Sequence, residues 1–278
     1  MTTEQLDLGG TTIAWLDGGR FELDGGAMFG AVPKVLWSRQ YAVSDDNTIK
    51  LKAAPLLVRT RHACILIDTG LGNKLTDKQQ KIFRVSAPWR MEDELSRHGL
   101  SRQMIDSVIL THCDFDHAGG IVMTNTSGVP ELTFPNARHV IHRDEWYDAM
   151  HPDRRSSYTY FAENFAGLES SGRLQLVDGD IDIDPAVTVR HTGGHSRGHQ
   201  AVEIRGQTDC AVHLGDVMPT HAHANPLWIM AYDDFPLEVI AQKEQLIHRY
   251  RDRCWFTFYH DVYMNAGRMD ASGRMTPS

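Results

Sequence analysis

Between residues 111 and 120 the chain reads Thr-His-Cys-Asp-Phe-Asp-His-Ala-Gly-Gly, directly after the apolar run Val108-Ile109-Leu110. His112, Asp114, Asp116 and His117 thus place four acid or imidazole groups within six residues. A buried strand that feeds such a segment delivers all four to one place, and desolvating them there is costly without a cation. The run therefore demands a strand-end loop and a metal. Three later segments repeat the arrangement: His195 in Gly193-Gly-His-Ser-Arg-Gly-His199, Asp216 in Leu214-Gly-Asp, and His260, each just past a β-like run. Strand-end loops are where a rigid scaffold presents functional groups. Imidazole and carboxylate are ligands suited to zinc, iron or manganese. Seven such groups exceed what one tetrahedral ion takes, and they suit two ions about 3.5–4 Å apart with a shared carboxylate and a shared hydroxide.

The rest of the chain supplies the frame. Strands are expected at 11–16 and 20–23 as a hairpin, then at 55–60, 62–67, 106–111, 138–142, 173–177, 186–191, 201–205, 210–214 and 255–259. Helices are expected at 88–98, 144–150 and 236–253, the last with Val239, Ile240, Lys243, Leu246, Ile247 and Tyr250 along one face. Residues 28–37 read as loop, and roughly 148–172 as an irregular or helical insertion. The polar tail 267–278 reads as frayed. Strands and helices do not alternate strictly, and no linker interrupts them. One α/β domain over 1–278, two sheets with helices outside, is the simplest layering.

Composition excludes several classes. Lys+Arg number 28 against 36 Asp+Glu, a formal charge of −8 with no basic cluster, which argues against nucleic acid as a partner. No apolar run approaches the roughly 18 residues of a membrane span. The first residues have neither a basic region nor an apolar core, so a cytoplasmic location is expected. Cys64, Cys113, Cys210 and Cys254 lie far apart with no CxxC pair, and are expected as buried free thiols.

With these motifs in view, the chain resembles the metallo-β-lactamase fold superfamily. The run from Thr111 to Gly120 looks like that family's HxHxDH signature. Asp68-Thr-Gly70, Gly194-His195, Gly215-Asp216 and His260 follow the family's order over about residues 11–262. The resemblance implies a four-layer αβ/βα sandwich with a dinuclear site at one edge of the two sheets. It implies that His112, position 114 and His195 hold one ion, that Asp116, His117 and His260 hold the other, and that Asp216 bridges. The family's second histidine is Asp114 here. A carboxylate there makes iron or manganese more competitive with zinc, the expected metal; alternatively Asp114 is not a ligand. Asp68 fits a role orienting a ligand histidine.

A metal pair with a bridging hydroxide suits hydrolysis, with Asp116 orienting the nucleophile and shuttling the proton. Among relatives the chain looks most like the quorum-quenching N-acyl homoserine lactonase branch. A small ester or lactone is therefore the expected substrate and a homodimer a possible assembly. The alternatives are an organophosphate or phosphoester hydrolase of the same fold, and a degenerate relative that binds metal or ligand without turnover. Phe29, Trp37, Trp228, Met230 and Tyr232 are expected to form an apolar pocket mouth, with His223 at its edge.

Overall fold

A computed structural model describes residues 4–278. In chain order its strands are β1 (Gln5–Asp7), β2 (Thr12–Trp15), β3 (Arg20–Asp24), β4 (Thr48–Lys52), β5 (Leu56–Arg59), β6 (Cys64–Ile67), β7 (Ser107–Ile109), β8 (Val122–Thr124), β9 (Pro130–Leu132), β10 (Arg138–His142) and β11 (Leu174–Val177), followed by β12 (Ile181–Asp184), β13 (Val187–His191), β14 (Gln200–Arg205), β15 (Cys210–His213), β16 (Trp255–Thr257), β17 (Ala266–Met269) and β18 (Met275–Pro277). The α-helices are α1 (Gly25–Phe29), α2 (Lys34–Trp37), α3 (Asp77–Ile82), α4 (Met91–Arg97), α5 (Phe115–Ala118), α6 (Arg143–Met150) and α7 (Pro236–Tyr250). One seven-stranded sheet runs β1-β2-β5-β6-β7-β10-β11 and a second runs β12 to β18 in sequence order; β3-β4 and β8-β9 form separate ribbons.

The layers follow from the two-residue period of a strand. Leu56, Val58, Ile65, Ile67 and Ile109 point into one apolar cluster together with Val187, Val189, Val202 and Ile204 of the second sheet. Their neighbours Leu57, Leu66 and Val108 point the other way, onto Met91 and Leu95 of α4 and Trp146 of α6. On the far side of the second sheet Val212 and Phe256 meet Val239, Leu246 and Tyr250 of α7. Helix, sheet, sheet, helix is the four-layer sandwich expected from the sequence. β6 and β7 are parallel neighbours in the first sheet, β15 and β16 in the second. Their carboxyl ends therefore open on one edge, where Asp68, His112, Asp216 and His260 follow.

Several local expectations are corrected. The 11–23 hairpin does not form: β2 pairs with β1 and β5, and β3 pairs with β4, so the two runs belong to different sheets. Residues 28–37 are largely α1 and α2 rather than loop, and α1 is capped by Asp24, whose carboxylate accepts from the Ala27 N–H at 2.8 Å. The tail expected to fray from Gly267 instead adds β17 and β18 to the second sheet, with Met269 buried against α7's layer. Cys210 and Cys254 are not free thiols but a disulfide, because parallel pairing of β15 with β16 brings residues 44 apart in sequence together. Cys113 is buried and free, and Cys64 is free but only partly buried. Among the described residues no helix is long and apolar enough to cross a membrane.

Away from the edge, Glu203 is buried at the outer face of β14 and takes contacts from Arg190 at 2.8 Å, Arg205 at 2.6 Å, Arg249 at 3.1 Å and the Tyr250 hydroxyl. Burial pushes its carboxyl up, but these donors outweigh it and hold the pKa at about 2, against 4.5 when free. The contribution is therefore complete above pH 4.5 and is lost as pH falls from there toward 2. Allowing for solvent screening it amounts to roughly 1–2 kcal/mol. Urea unfolding of Glu203→Gln should accordingly show a flatter loss of stability across this window than the parent. Parallel slopes would contradict the assignment.

Candidate metal centre

After β7 the non-helical residues 110–114 lead into the single-turn helix α5, so that His112 and Asp114 precede the helix and Asp116 and His117 lie on it. Asp114 occupies the N-cap position, yet its carboxylate makes no capping hydrogen bond. It points instead at two imidazoles, with Oδ2 3.6 Å from His112 Nε2 and 3.5 Å from His195 Nε2. Gly119 lets the chain close behind α5, since a Cβ there would lie 2.3 Å from the Leu71 carbonyl oxygen. That contact packs the Asp68–Leu71 turn against the helix.

Asp216 lies at the centre. Its Oδ1 is 3.3 Å from His117 Nε2 and 3.2 Å from His260 Nε2, and its Oδ2 is 3.7 Å from His195 Nε2. Asp116 Oδ2 is 3.5 Å from His260 Nε2. Three overlapping groups result, each with donor atoms within 4.8 Å of one another: His112, Asp114 and His195; His112, His117 and Asp216; Asp116, His117 and His260.

Three observations test whether these residues fit a metal. First, most of the separations are longer than a direct hydrogen bond and bracket the edge of a coordination tetrahedron, about 3.3 Å for bonds of 2.0–2.1 Å. Second, His112 Nε2 and Asp216 Oδ1 are buried without a hydrogen-bond partner. Third, every Nδ1 is turned outward to an acceptor. His117 donates to Asp68 at 2.9 Å, His195 to Asp233 at 2.8 Å and His260 to the Lys52 carbonyl at 2.9 Å. His112 meets Thr111 Oγ1 at 3.0 Å, and that hydroxyl itself donates to Asp68. This pattern turns the Nδ1 side of all four rings outward and the four Nε2 atoms inward, with His117 Nε2 and His260 Nε2 3.0 Å apart.

The electrostatics agree. Burial lowers the affinity of His117 for a proton, but Asp216, Asp68 and Asp116 outweigh it and raise its pKa well above 6.5. His195 is raised likewise, against burial, by Asp114, Asp233 and Asp216. Burial also works against the charged forms of Asp114 and Asp216, yet the surrounding imidazoles hold both below the ordinary carboxylate range. The cluster attracts positive charge, a demand that divalent cations would meet.

Sequence reasoning brought seven residues forward for this centre, and the structure brings all seven together. Asp68 is fully buried and accepts from the Thr111 N–H at 2.7 Å, the Thr111 hydroxyl at 2.8 Å and His117. Asp233 and Tyr259 are supports that the sequence does not single out, and His199 is only one of several histidines lying near the site in sequence. Asp233 holds His195 and also accepts from the Met230 N–H at 2.8 Å. Tyr259 stacks on His117 at 4.2 Å and donates to the Asp116 carbonyl at 2.8 Å. His199, kept neutral mainly by burial, accepts from the Asp216 N–H at 3.1 Å. Little in the sequence marks Asp233 and Tyr259, since an aspartate before a helix and an aromatic just past a strand are common.

A cavity of about 330 Å3 opens over the centre. Leu23, Met28, Phe83, Phe115, Met230 and Tyr232 supply its apolar walls, and residues 155–160 of the expected insertion close one side. Of the residues expected at the pocket mouth, Met230 and Tyr232 line this cavity. Phe29, Trp37, His223 and Trp228 do not line it. Phe29 and Trp37 are fully buried in a stack one layer behind, with His223 parallel to Phe29 at 4.7 Å and Trp228 edge-on to it at 5.9 Å. These large rings pack under α1 and α2, and that packing carries them away from the mouth.

Residues 53–249 match the family model described as the metallo-beta-lactamase superfamily. The chain belongs to this superfamily. A structure described as a probable metal-dependent hydrolase from Staphylococcus aureus shares 39% identity, with a TM-score of 0.92 over 98% of this chain and 99% of that one. A curated superfamily relative, an N-acyl homoserine lactonase of Bacillus thuringiensis, is 25% identical over 183 residues. That match covers 62% of this chain and 66% of the relative, just under two thirds of its length. A dizinc quorum-quenching lactonase, solved in complex with its product, superposes with a TM-score of 0.80 over 100% of this chain and 97% of its own at 19% identity, a likeness of fold.

Proposed function

We propose that the protein is a metal-dependent hydrolase of small neutral esters, with lactones as the first substrates to test. The observation that carries this reading is the convergence of four imidazole Nε2 atoms and three carboxylates on the floor of an apolar-walled cavity. His112, Asp114 and His195 would hold one divalent ion, Asp116, His117 and His260 a second, and Asp216 would contact both. Zinc suits the set, and Asp114 makes iron and manganese competitive. When bound, such a pair supplies Lewis acidity and water of lowered pKa.

The chain's own residues do the remainder. Asp116 faces the cavity with its carboxylate, where it orients water and passes a proton to the leaving oxygen. Tyr160 also lines the cavity, but its hydroxyl is committed to Glu145 at 2.9 Å. Arg155 is the one basic Lys or Arg side chain in the lining, and it is bound by Asp234 at 2.7 Å and the Ala231 carbonyl at 2.8 Å. Beyond the metal centre itself, no unpaired Lys or Arg side chain lines the cavity to meet a further negative charge, which favours a neutral substrate. The lactonase relative and the dizinc lactonase fold neighbour support a lactone.

Apolar walls should read acyl length. A buried methylene is worth about 0.8 kcal/mol, so two added carbons should raise kcat/KM about tenfold until the cavity is full. Met230→Ala should flatten that slope with metal content unchanged. A panel of lactones, aryl esters and phosphotriesters tests the class. Turnover confined to phosphotriesters, or no dependence on chain length, would count against the lactone reading.

A further inference from the structure

We infer that Glu145 is a positioning residue for the first metal position, acting from beneath it without touching it; the inference rests on the metal-centre reading above. Glu145 lies on α6, which begins directly after β10, the parallel neighbour of β7. That register sets its side chain under the loop that follows β7. It is 1% exposed, and both carboxylate oxygens are used. Oε1 accepts from the Cys113 N–H at 2.7 Å and from the Tyr160 hydroxyl at 2.9 Å; Oε2 accepts from the Ser196 hydroxyl at 2.5 Å.

The identity of these donors gives Glu145 its role. Cys113 stands between His112 and Asp114, and Ser196 follows His195. One buried carboxylate thus ties the backbone between two members of the first group to the residue beside the third. Sequence places these groups about eighty residues apart, and among the described residues no other side chain bonds to both Cys113 and Ser196. Gly198 makes the approach possible, because a Cβ there would lie 2.3 Å from the Glu145 backbone nitrogen. The third donor, Tyr160, belongs to the cavity wall, so the same carboxylate fixes that wall relative to the floor. The second group, Asp116, His117 and His260, has its own supports in Asp68 and the Lys52 carbonyl and receives nothing from Glu145.

The test is cobalt(II) titration of the full chain after chelator treatment, followed by visible absorption, with His112→Ala as the marker for the first position. The parent should take up two equivalents. Glu145→Leu, which keeps bulk but accepts nothing, should weaken the equivalent that His112→Ala removes by about 10–100-fold, with the other within about threefold. Glu145→Gln retains an acceptor for Cys113 and an amide that Ser196 can meet, and should restore binding to within about threefold of the parent. Ser196→Ala breaks one arm only and should weaken the same equivalent by a smaller factor; it carries the test if the leucine variant does not fold. Equal weakening of both equivalents, no weakening of either, or glutamine no better than leucine would overturn the positioning role. A parent that binds fewer than two equivalents would overturn the metal-centre reading itself.

Discussion

Asp216→Ala is expected to lower kcat/KM by roughly 10³-fold or more, equivalent to about 4 kcal/mol of transition-state stabilisation. Asp216 is the one carboxylate within 3.7 Å of imidazoles from both halves of the centre, His195 on one side and His117 and His260 on the other. On the proposed assignment its removal would take a ligand from each ion and leave three Nε2 atoms facing one another without the charge between them. Asp114 is near His112 and His195 alone, so Asp114→Ala should cost less. Metal analysis separates the two, with Asp216→Ala losing both equivalents and Asp114→Ala chiefly one. Equal loss in the two variants would mean that Asp216 is not shared.

Asp68 gives the second large effect, and its two substitutions should part company. Asp68→Ala leaves the Thr111 N–H, the Thr111 hydroxyl and His117 Nδ1 without their buried acceptor, at about 1–3 kcal/mol for each unpaired group. Asp68 also has φ of 58°, in the left-handed region that alanine tolerates poorly. A loss of roughly 3–5 kcal/mol in urea unfolding is expected. Asp68→Asn keeps an oxygen for Thr111 and tolerates that backbone, so most of the stability should remain. Its NH2 group, however, now donates toward His117 Nδ1. The imidazole proton must then sit on Nε2, which can no longer bind a metal. Metal affinity at the second position should fall about 10–100-fold in a protein that is still folded. An asparagine variant with parental metal affinity would show that the proton on His117 is not governed by Asp68.

The elements that carry the site were legible because their signals are local. The run 111–120 spells out four candidate ligands, and the valines and isoleucines of β6, β7, β13 and β14 mark strands whichever partners they take. The long helix α7 declares itself through its 3.6-residue period. What escaped depends on partners remote in sequence. Glu145 sits in an acidic first helical turn, where a carboxylate ordinarily answers the helix dipole. Asp233 resembles any polar residue ahead of α7, and only the fold places it on His195. Phe29 and Trp37 share the composition of a pocket wall, but α1 and α2 turn them into the core, and residues 155–160 take the wall instead. The disulfide arises from β15 lying beside β16, a pairing that cysteine spacing does not encode.

The central claim, a pair of divalent ions held by seven side chains and used for hydrolysis, is tested most directly by metal content measured alongside lactone turnover. The protein as purified should carry about two equivalents of transition metal per chain. Chelation should abolish turnover, and stepwise return of zinc, manganese or iron should restore activity in proportion to occupancy of both positions. Full lactone turnover in protein carrying none or one equivalent, or two equivalents without hydrolysis of any ester, lactone or phosphotriester, would contradict it.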